Sequence, residues 1–442
     1  IIICIERVAY FPARTKFNFN GDNWIMDFPD LYLVRQVINP VAITDVEKVL
    51  EERLVESKLL DRMEVGSSVV IGAGSRGIPN YPRVLRKMVE LLKERGALVS
   101  ILPVMGSHGG ATGPGQVHVL EELKITPETI GAPIIDTMDV FTLDYTPSGV
   151  PVSVDRDLMA CDHILLVNRV KVHTEFHGKI ESGLCKMMAI GFGRYQGAVE
   201  THKCAVALGY EKTIREVARV YIEKLPILAG IALVDTPDNR TARVEVVLPD
   251  EFENVEEELL AYARDISVKL PLHDIDILLV DQLGKNISGA GFDTKVIGRI
   301  MNIYEEELES PRITRIVLRD LTPETYGNAI GIGLADFITQ RCVEKIDVNV
   351  TNLNCITAIT PEKARIPITL PNDKEALLAA FKTIGPKDKN TVRLLWIKNT
   401  SNIVNLMVSS AAKDAILPEK FEVLKGPVKM EFDKDDNLIS PW

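Results

Sequence analysis

The sequence predicts an α/β protein of two domains, each built on a mainly parallel sheet, with the active site in the cleft between them. Three observations predict it: strands and helices alternate from residue 68 onward, the alternation restarts after residue 270, and the chain is 442 residues long. That length exceeds what one hydrophobic core usually serves. With 46% apolar and 26% charged residues, the composition is that of a globular protein and not of a disordered one.

The first alternation runs strand 68–71, Gly-rich turn, helix 81–95, strand 98–105, second Gly-rich turn, then a helical stretch near 117–123. Strands separated by helices form a parallel sheet. Apolar runs at 163–168 and 227–235, with a helical pattern at 213–224 between them, extend that sheet, and helices are expected on both of its faces. An acidic amphipathic stretch, 250–269, then leads through Leu270-Pro271-Leu272 into a fresh strand at 275–280. A domain boundary is therefore expected near 270, with residues 1–270 as an N-terminal cofactor-binding domain and 271–442 as a C-terminal α/β domain. The second unit is read as a strand at 313–318, a helix around 334–346, a helix at 374–384 and a strand at 392–397. The tail from about 418, with alternating Val428, Met430 and Phe432, reads as an edge strand that packs on either domain, including back on the first.

A net charge of −11 and the lack of any Lys/Arg-rich run argue against nucleic acid as a partner. The longest apolar stretch, 225–234, is about half a membrane span, so no membrane association is expected and the protein is read as cytoplasmic. Six cysteines without a CxxC pair fit reduced thiols and suggest no thiolate zinc site. Cys185 and Cys204 are read as small core residues. Sequence offers no purchase on oligomeric state.

Gly72-Ala73-Gly74-Ser75-Arg76-Gly77 follows a strand and precedes a helix, the context of a dinucleotide fingerprint. Pro79 interrupts the helix start and the next strand does not end in the acidic residue that holds a ribose, which argues against NAD. What remains is an anion site at a turn, with Ser75 and Arg76 as its candidates. The second turn, residues 106–115, carries His108 beside Gly109 and Gly110, where backbone can approach a ligand closely. A histidine planted in so little side-chain mass is a candidate acid/base.

Seven histidines occur in the chain, and three of them fall between Lys171 and Lys203 among glycines, lysines and glutamates. His173 and His177 have the four-residue spacing that would share a helix face and hold zinc. Gly178 and the turn-like surroundings argue against a helix there, and the HExxH pattern is absent because Thr174 follows the first histidine. Two functions stay open on these residues alone. One is a zinc or other divalent-metal-dependent hydrolase or lyase using His173, His177 and Glu175; the other is a non-catalytic nucleotide-binding protein that holds its ligand on the two Gly-rich turns.

The order Arg76, His108, His173, then Ser182-Gly183-Leu184-Cys185-Lys186, then His202 sixteen residues after that lysine, resembles the nickel-dependent lactate racemase family and its hydroxyacid racemase and epimerase relatives. Gln282 and Lys285 add the QxxK spacing of that family's second domain. The resemblance spans residues 76 to 285. It implies a racemase or epimerase of a 2-hydroxy acid that acts by reversible hydride transfer to a nickel-pincer nucleotide (nickel pyridinium-3,5-bisthiocarboxylic acid mononucleotide) made by cofactor-synthesis enzymes. On it Lys186 is the covalent tether and His202 the nickel ligand, with Ser75, Arg76, Gly109 and Gly110 near the cofactor. His108 and one of His173 and His177 are the two bases, and Arg76, Gln282 and Lys285 hold the substrate carboxylate. The chain departs from the family in three places. Gly109-Gly110 stands where Arg-Pro is common; His173 is three residues further from the lysine than the family spacing and His177 one nearer; Gly183-Leu184-Cys185-Lys186 replaces Gly-Gly-Arg-Lys.

Overall fold

The computed structural model describes residues 27–37, 42–74, 77–174 and 176–442. Its strands in chain order begin with β1 (Leu31–Gln36), β2 (Ser68–Ala73), β3 (Leu98–Pro103), β4 (Val140–Tyr145), β5 (Pro151–Asp155), β6 (His163–Arg169), β7 (Ile227–Asp235) and β8 (Thr241–Val247). They continue with β9 (Asp274–Leu283), β10 (Arg312–Leu321), β11 (Phe337–Thr339), β12 (Ile368–Leu370), β13 (Leu394–Ile397), β14 (Asn405–Ser409) and β15 (Phe421–Val428).

One sheet has the order β3-β2-β6-β7-β8, a second the order β12-β11-β10-β9-β13-β14-β1-β15, and β4 pairs with β5 alone. In the first sheet only β8 is antiparallel to its neighbour. In the second, the run from β12 to β13 is parallel, and β14, β1 and β15 are added antiparallel. The fold is thus α/β with mainly parallel sheets. Side-chain alternation along each strand builds a core on both faces, as in β2, where Val70 enters one core while Val69 and Ile71 enter the other. β9 does the same with Leu278 and Leu279.

The structure differs from the sequence reading at two points and decides a third that the sequence left open. Where a helix was expected around 334–346 there is a 3-10 turn, then β11, then the short helix Gln340–Glu344. Phe337 and Ile338 are buried on opposite faces of the sheet, and a continuous apolar run of that length does not distinguish strand from helix by its period. β1, from the first 40 residues, lies in the eight-stranded sheet, with Leu31 opposite Ser409 of β14. The tail forms β15 on the far side of β1, so it is the outer edge of that sheet and does not pack back on the five-stranded one.

The segment 184–208, rich in glycine, is two helices, Leu184–Gly191 and Arg194–Leu208. Glycine serves close packing here. A Cβ on Gly191 would lie 2.2 Å from Val104 Cγ1 and 2.9 Å from the Val104 carbonyl carbon, so the helix reaches the end of β3 only without one. Among the described residues no helix is long and apolar enough to cross a membrane.

Gly191→Ala therefore sets a helix-propensity gain of roughly 0.5–1 kcal/mol against an overpacking cost of roughly 1–3 kcal/mol. Urea unfolding is expected to show net destabilisation; a more stable variant would contradict this packing.

Candidate functional site

Both sheets reverse their winding at an inner strand: β2 lies between β3 and β6, and β9 between β10 and β13. Such switch points leave a crevice beyond the carboxyl ends of the strands. A cavity of about 550 Å³ occupies that place, lined by Gly74 after β2, Met105 after β3, Asn168 and Arg169 at the end of β6, and Lys285 after β9. Its wall also carries His108, His173, Lys186 and His202. Residues far apart in sequence are brought together from both sheets.

Local contacts explain how each is held. Tyr81 at the start of helix Tyr81–Glu94 donates its hydroxyl to Val167 O (3.0 Å) and accepts from Gly74 N (2.8 Å), which fixes the end of β2 against β6. The His108 loop turns through left-handed backbone at Gly106, Gly109, Gly110 and Ala111, and buried Gln116 donates to Gly106 O at 2.7 Å. Gly109 packs against the backbone of Gly115 and Gln116, and Gly110 meets open space; Ser107 and His108, not these glycines, line the cavity.

The Lys186 helix begins against a buried carboxyl. Glu256, from helix Phe252–Asp265, accepts from the backbone N–H groups of Leu184 and Cys185 (3.0 Å for Cys185), and a Cβ on Gly183 would fall 2.4 Å from its Oε1. Its other oxygen is buried without a hydrogen-bond partner. Burial pushes the Glu256 carboxyl up to about 7, against the lowering effect of the two N–H donors. The Cys185 thiol is held well above its ordinary range by burial and by Glu256, which keeps it a protonated core residue.

An aromatic chain connects the charged groups. The Lys186 ammonium sits 5.3 Å from the centre of the Phe176 ring. Phe176 packs on the His173 ring at 4.6 Å and stacks on Tyr210 at 5.1 Å, and Tyr210 meets His202 edge-on at 6.4 Å. His202, on helix Arg194–Leu208, has Nδ1 2.7 Å from Ala198 O, so Nδ1 carries the hydrogen and Nε2 keeps its lone pair. Burial and then the Lys186 charge lower its pKa to about 4, leaving a neutral imidazole. The start of that helix is fixed by buried Arg194, which pairs with Asp155 (3.3 Å) and donates to the carbonyls of Pro103 and Thr137.

His173 and His177 part company. His173 lines the 550 Å³ cavity, and its backbone N–H donates to the buried Glu181 carboxylate at 2.5 Å. Burial first, then Lys186, Lys295, Lys171 and His202, hold its pKa well below 6.5. The His177 side chain is 51% exposed, lies 3.7 Å from Glu181, and lines a neighbouring cavity together with Phe176 and Tyr210. The two histidines do not share a helix face, because residues 172–182 form no helix among those described.

Lys285 lines the cavity and donates from Nζ to Asn354 Oδ1 at 2.7 Å. Gln282, half-buried on β9, does not line it. Ser75, Arg76 and Glu175 lie outside the described residues. Among the described residues no group of three or more His, Cys, Asp or Glu side chains is arranged to hold a metal ion. The sequence reading missed Asn168, Arg169, Tyr210 and Asn354 as cavity residues. Asn168 and Arg169 carried a usable signal, the end of a strand beside a switch point, once the strand order is known; Tyr210 and Asn354 carried none.

No family model matches the sequence, and no curated protein matches it. Among solved structures, the chain is similar to a protein from Thermotoga maritima at 13% identity, with a TM-score of 0.49, covering 74% of this chain and 83% of that one. It is also similar to the lactate racemase apoprotein from Thermoanaerobacterium thermosaccharolyticum at 13% identity, with a TM-score of 0.45, covering 83% of this chain and 85% of that one.

Glu256 gives a pH prediction. Its carboxyl is raised from 4.5 to about 7 in the folded chain, so its contribution to stability is fully present below pH 4.5 and is lost as pH rises through about 7. Between pH 5 and pH 8 the loss is expected to be about 2–3 kcal/mol. Urea unfolding at both pH values should show this difference shrink in Glu256→Gln; an unchanged difference would contradict it.

Proposed function

We propose that the chain is a racemase or epimerase of a 2-hydroxy acid, working with a nickel-pincer nucleotide tethered to Lys186. The observation that carries this reading is that one cavity is lined by Lys186, His202, His108, His173 and Lys285, the residues on which the sequence resemblance rests. In this reading residues up to about 270, β1 apart, form the cofactor-binding domain, and the remainder with β1 forms the second.

The donor set suits the group. Lys186 offers an amine for the tether, and His202 offers Nε2, with Nδ1 fixed by Ala198 O. A neutral imidazole so oriented is a good ligand for nickel(II). The chemistry such a group supplies when bound is reversible acceptance of a hydride from the substrate's C2. The protein's own residues do the rest. Lys285, with Arg76, holds the substrate carboxylate, and the fixed geometry turns a bimolecular encounter into an oriented one.

Interconversion of two enantiomers calls for a proton acceptor on each side of the substrate. His108 comes from the loop after β3 and His173 from the loop after β6; in each direction one takes the hydroxyl proton of the enantiomer on its side, the other in its protonated form supplies the hydroxyl proton of the product, and exchange with solvent resets the pair. Burial keeps His173 neutral, which is the proton-accepting form. His177, facing the neighbouring cavity, is assigned no part in the chemistry, and neither is Gln282.

Intact-mass spectrometry of protein co-expressed with cofactor-synthesis enzymes is expected to show a nickel-containing adduct that disappears in Lys186→Ala, with racemisation of a 2-hydroxy acid lost in parallel. An unmodified, inactive wild-type protein made under conditions that load a known racemase would contradict the proposal. His173→Ala is expected to lower kcat by roughly 10²–10⁴-fold, and His177→Ala by less than about threefold. The opposite ranking in steady-state kinetics would exchange their roles.

A further inference from the structure

The reading of the cavity as a 2-hydroxy-acid site leaves the substituent on C2 undefined, and the wall beside Lys285 bears on it. This inference rests on that reading. With the carboxylate on Lys285, C2 is one bond from the carboxyl carbon, so its substituent must lie against the groups next to that lysine. Asn354 is hydrogen-bonded to that lysine, and Ile330, Ile356, Thr357, Ala358 and Ile359 line the same cavity.

Two polar atoms among them are engaged with protein partners. Asn354 Oδ1 accepts from Lys285 Nζ at 2.7 Å and from Asn328 Nδ2 at 3.0 Å, and the Thr357 hydroxyl donates back to Leu353 O at 2.8 Å. The other four of these residues are aliphatic. Ile330 is buried, whereas Ile356 is 68% exposed at the rim, and it gains burial when an apolar group covers it. Ile359 has φ +56°, a left-handed conformation that a β-branched side chain rarely adopts. Strain of this kind gathers at ligand-contacting positions, where the surrounding structure fixes a side chain against its own preference. Asn354 and Ile356 also belong to one helix, Val348–Thr357, so the lysine support and the aliphatic rim move as a unit.

We infer that the site takes a 2-hydroxy acid with an apolar side chain larger than methyl, seated on Ile330, Ile356, Ala358 and Ile359. Ile356 and Ile359 are its specificity-determining residues. Each buried methylene favours binding by roughly fourfold, so replacing methyl by isobutyl raises kcat/KM by roughly tenfold to a hundredfold, the lower figure applying where the rim stays wet.

The test uses protein shown by intact mass to carry the Lys186 adduct. It is given single enantiomers of lactate, 2-hydroxyisocaproate, 3-phenyllactate, malate and gluconate, and loss of stereochemical purity is followed by chiral chromatography. The expected result is a kcat/KM for 2-hydroxyisocaproate or 3-phenyllactate at least about tenfold above that for lactate. That ratio should fall by about fivefold or more in Ile356→Ser, whose side chain is at the rim, and in Ile359→Gly, which suits the left-handed backbone. Calorimetric titration with 4-methyl-2-oxopentanoate and with pyruvate reads the same preference without turnover, the former expected to bind more tightly. Preference for lactate, malate or gluconate, or a ratio unchanged in both variants, would overturn the substrate class and leave the racemase reading standing. Turnover of none of the five by the adduct-bearing protein would overturn both.

Discussion

The Glu181 carboxylate is the interaction on which the site depends. It is fully buried, and it accepts from the backbone N–H of His173 at 2.5 Å and of Gly178 at 3.3 Å. Arg264 meets it at 2.6 Å from the helix that also supplies Glu256, and Lys295 meets it at 2.9 Å from the segment beyond β9. A carboxylate taken out of water costs several kcal/mol unless charges and donors surround it, and here two cations and two N–H groups do. Lys295 also donates to Phe176 O at 3.2 Å, and its neighbour Thr294 donates to Thr174 O. The loop that carries His173 is thereby fixed to both sheets at once, and burial of Glu181 is what makes that attachment costly to break.

The rest of the site follows from sheet topology and close packing. Two switch points face a common crevice, and glycines let main chain approach where side chains would collide: Gly191 against Val104, Gly183 against Glu256. Tyr210 lines both the cavity of His173 and that of His177, and Phe176 lines the second while packing on the His173 ring. A four-residue step along a loop thus gives two histidines different surroundings, one half-buried among lysines and one half in solvent beside Glu181.

Much of the first sheet was legible because its strands are short apolar runs punctuated by glycine, and β2, β3, β6 and β7 fall where periodicity puts them. β11 was read as helix because Phe337-Ile338-Thr339 is buried on both faces and so shows no alternation. Leu184–Gly191 and Arg194–Leu208 were not seen as helices at all, since their glycines, which lower helix propensity, are there for packing. At the site, His108 was legible from its Gly-rich turn, whereas Lys186, His202 and Lys285 were singled out by the family resemblance; all four line one cavity. The choice between His173 and His177 could not be made from spacing, because the loop between them follows neither the helical nor the strand period. Asn354 was invisible for a different reason: its contact with Lys285 spans 69 residues and depends on tertiary packing alone.

The central claim is that Lys186 and His202 hold one metal-bearing group between them. Anomalous diffraction at the nickel edge, on crystals of the loaded protein, tests it most directly. The account predicts a single strong peak in the cavity at bonding distance from His202 Nε2, with density continuous to Lys186 Nζ. A peak at His177, or nickel in the cavity with Lys186 unmodified and His202 uncoordinated, would contradict it.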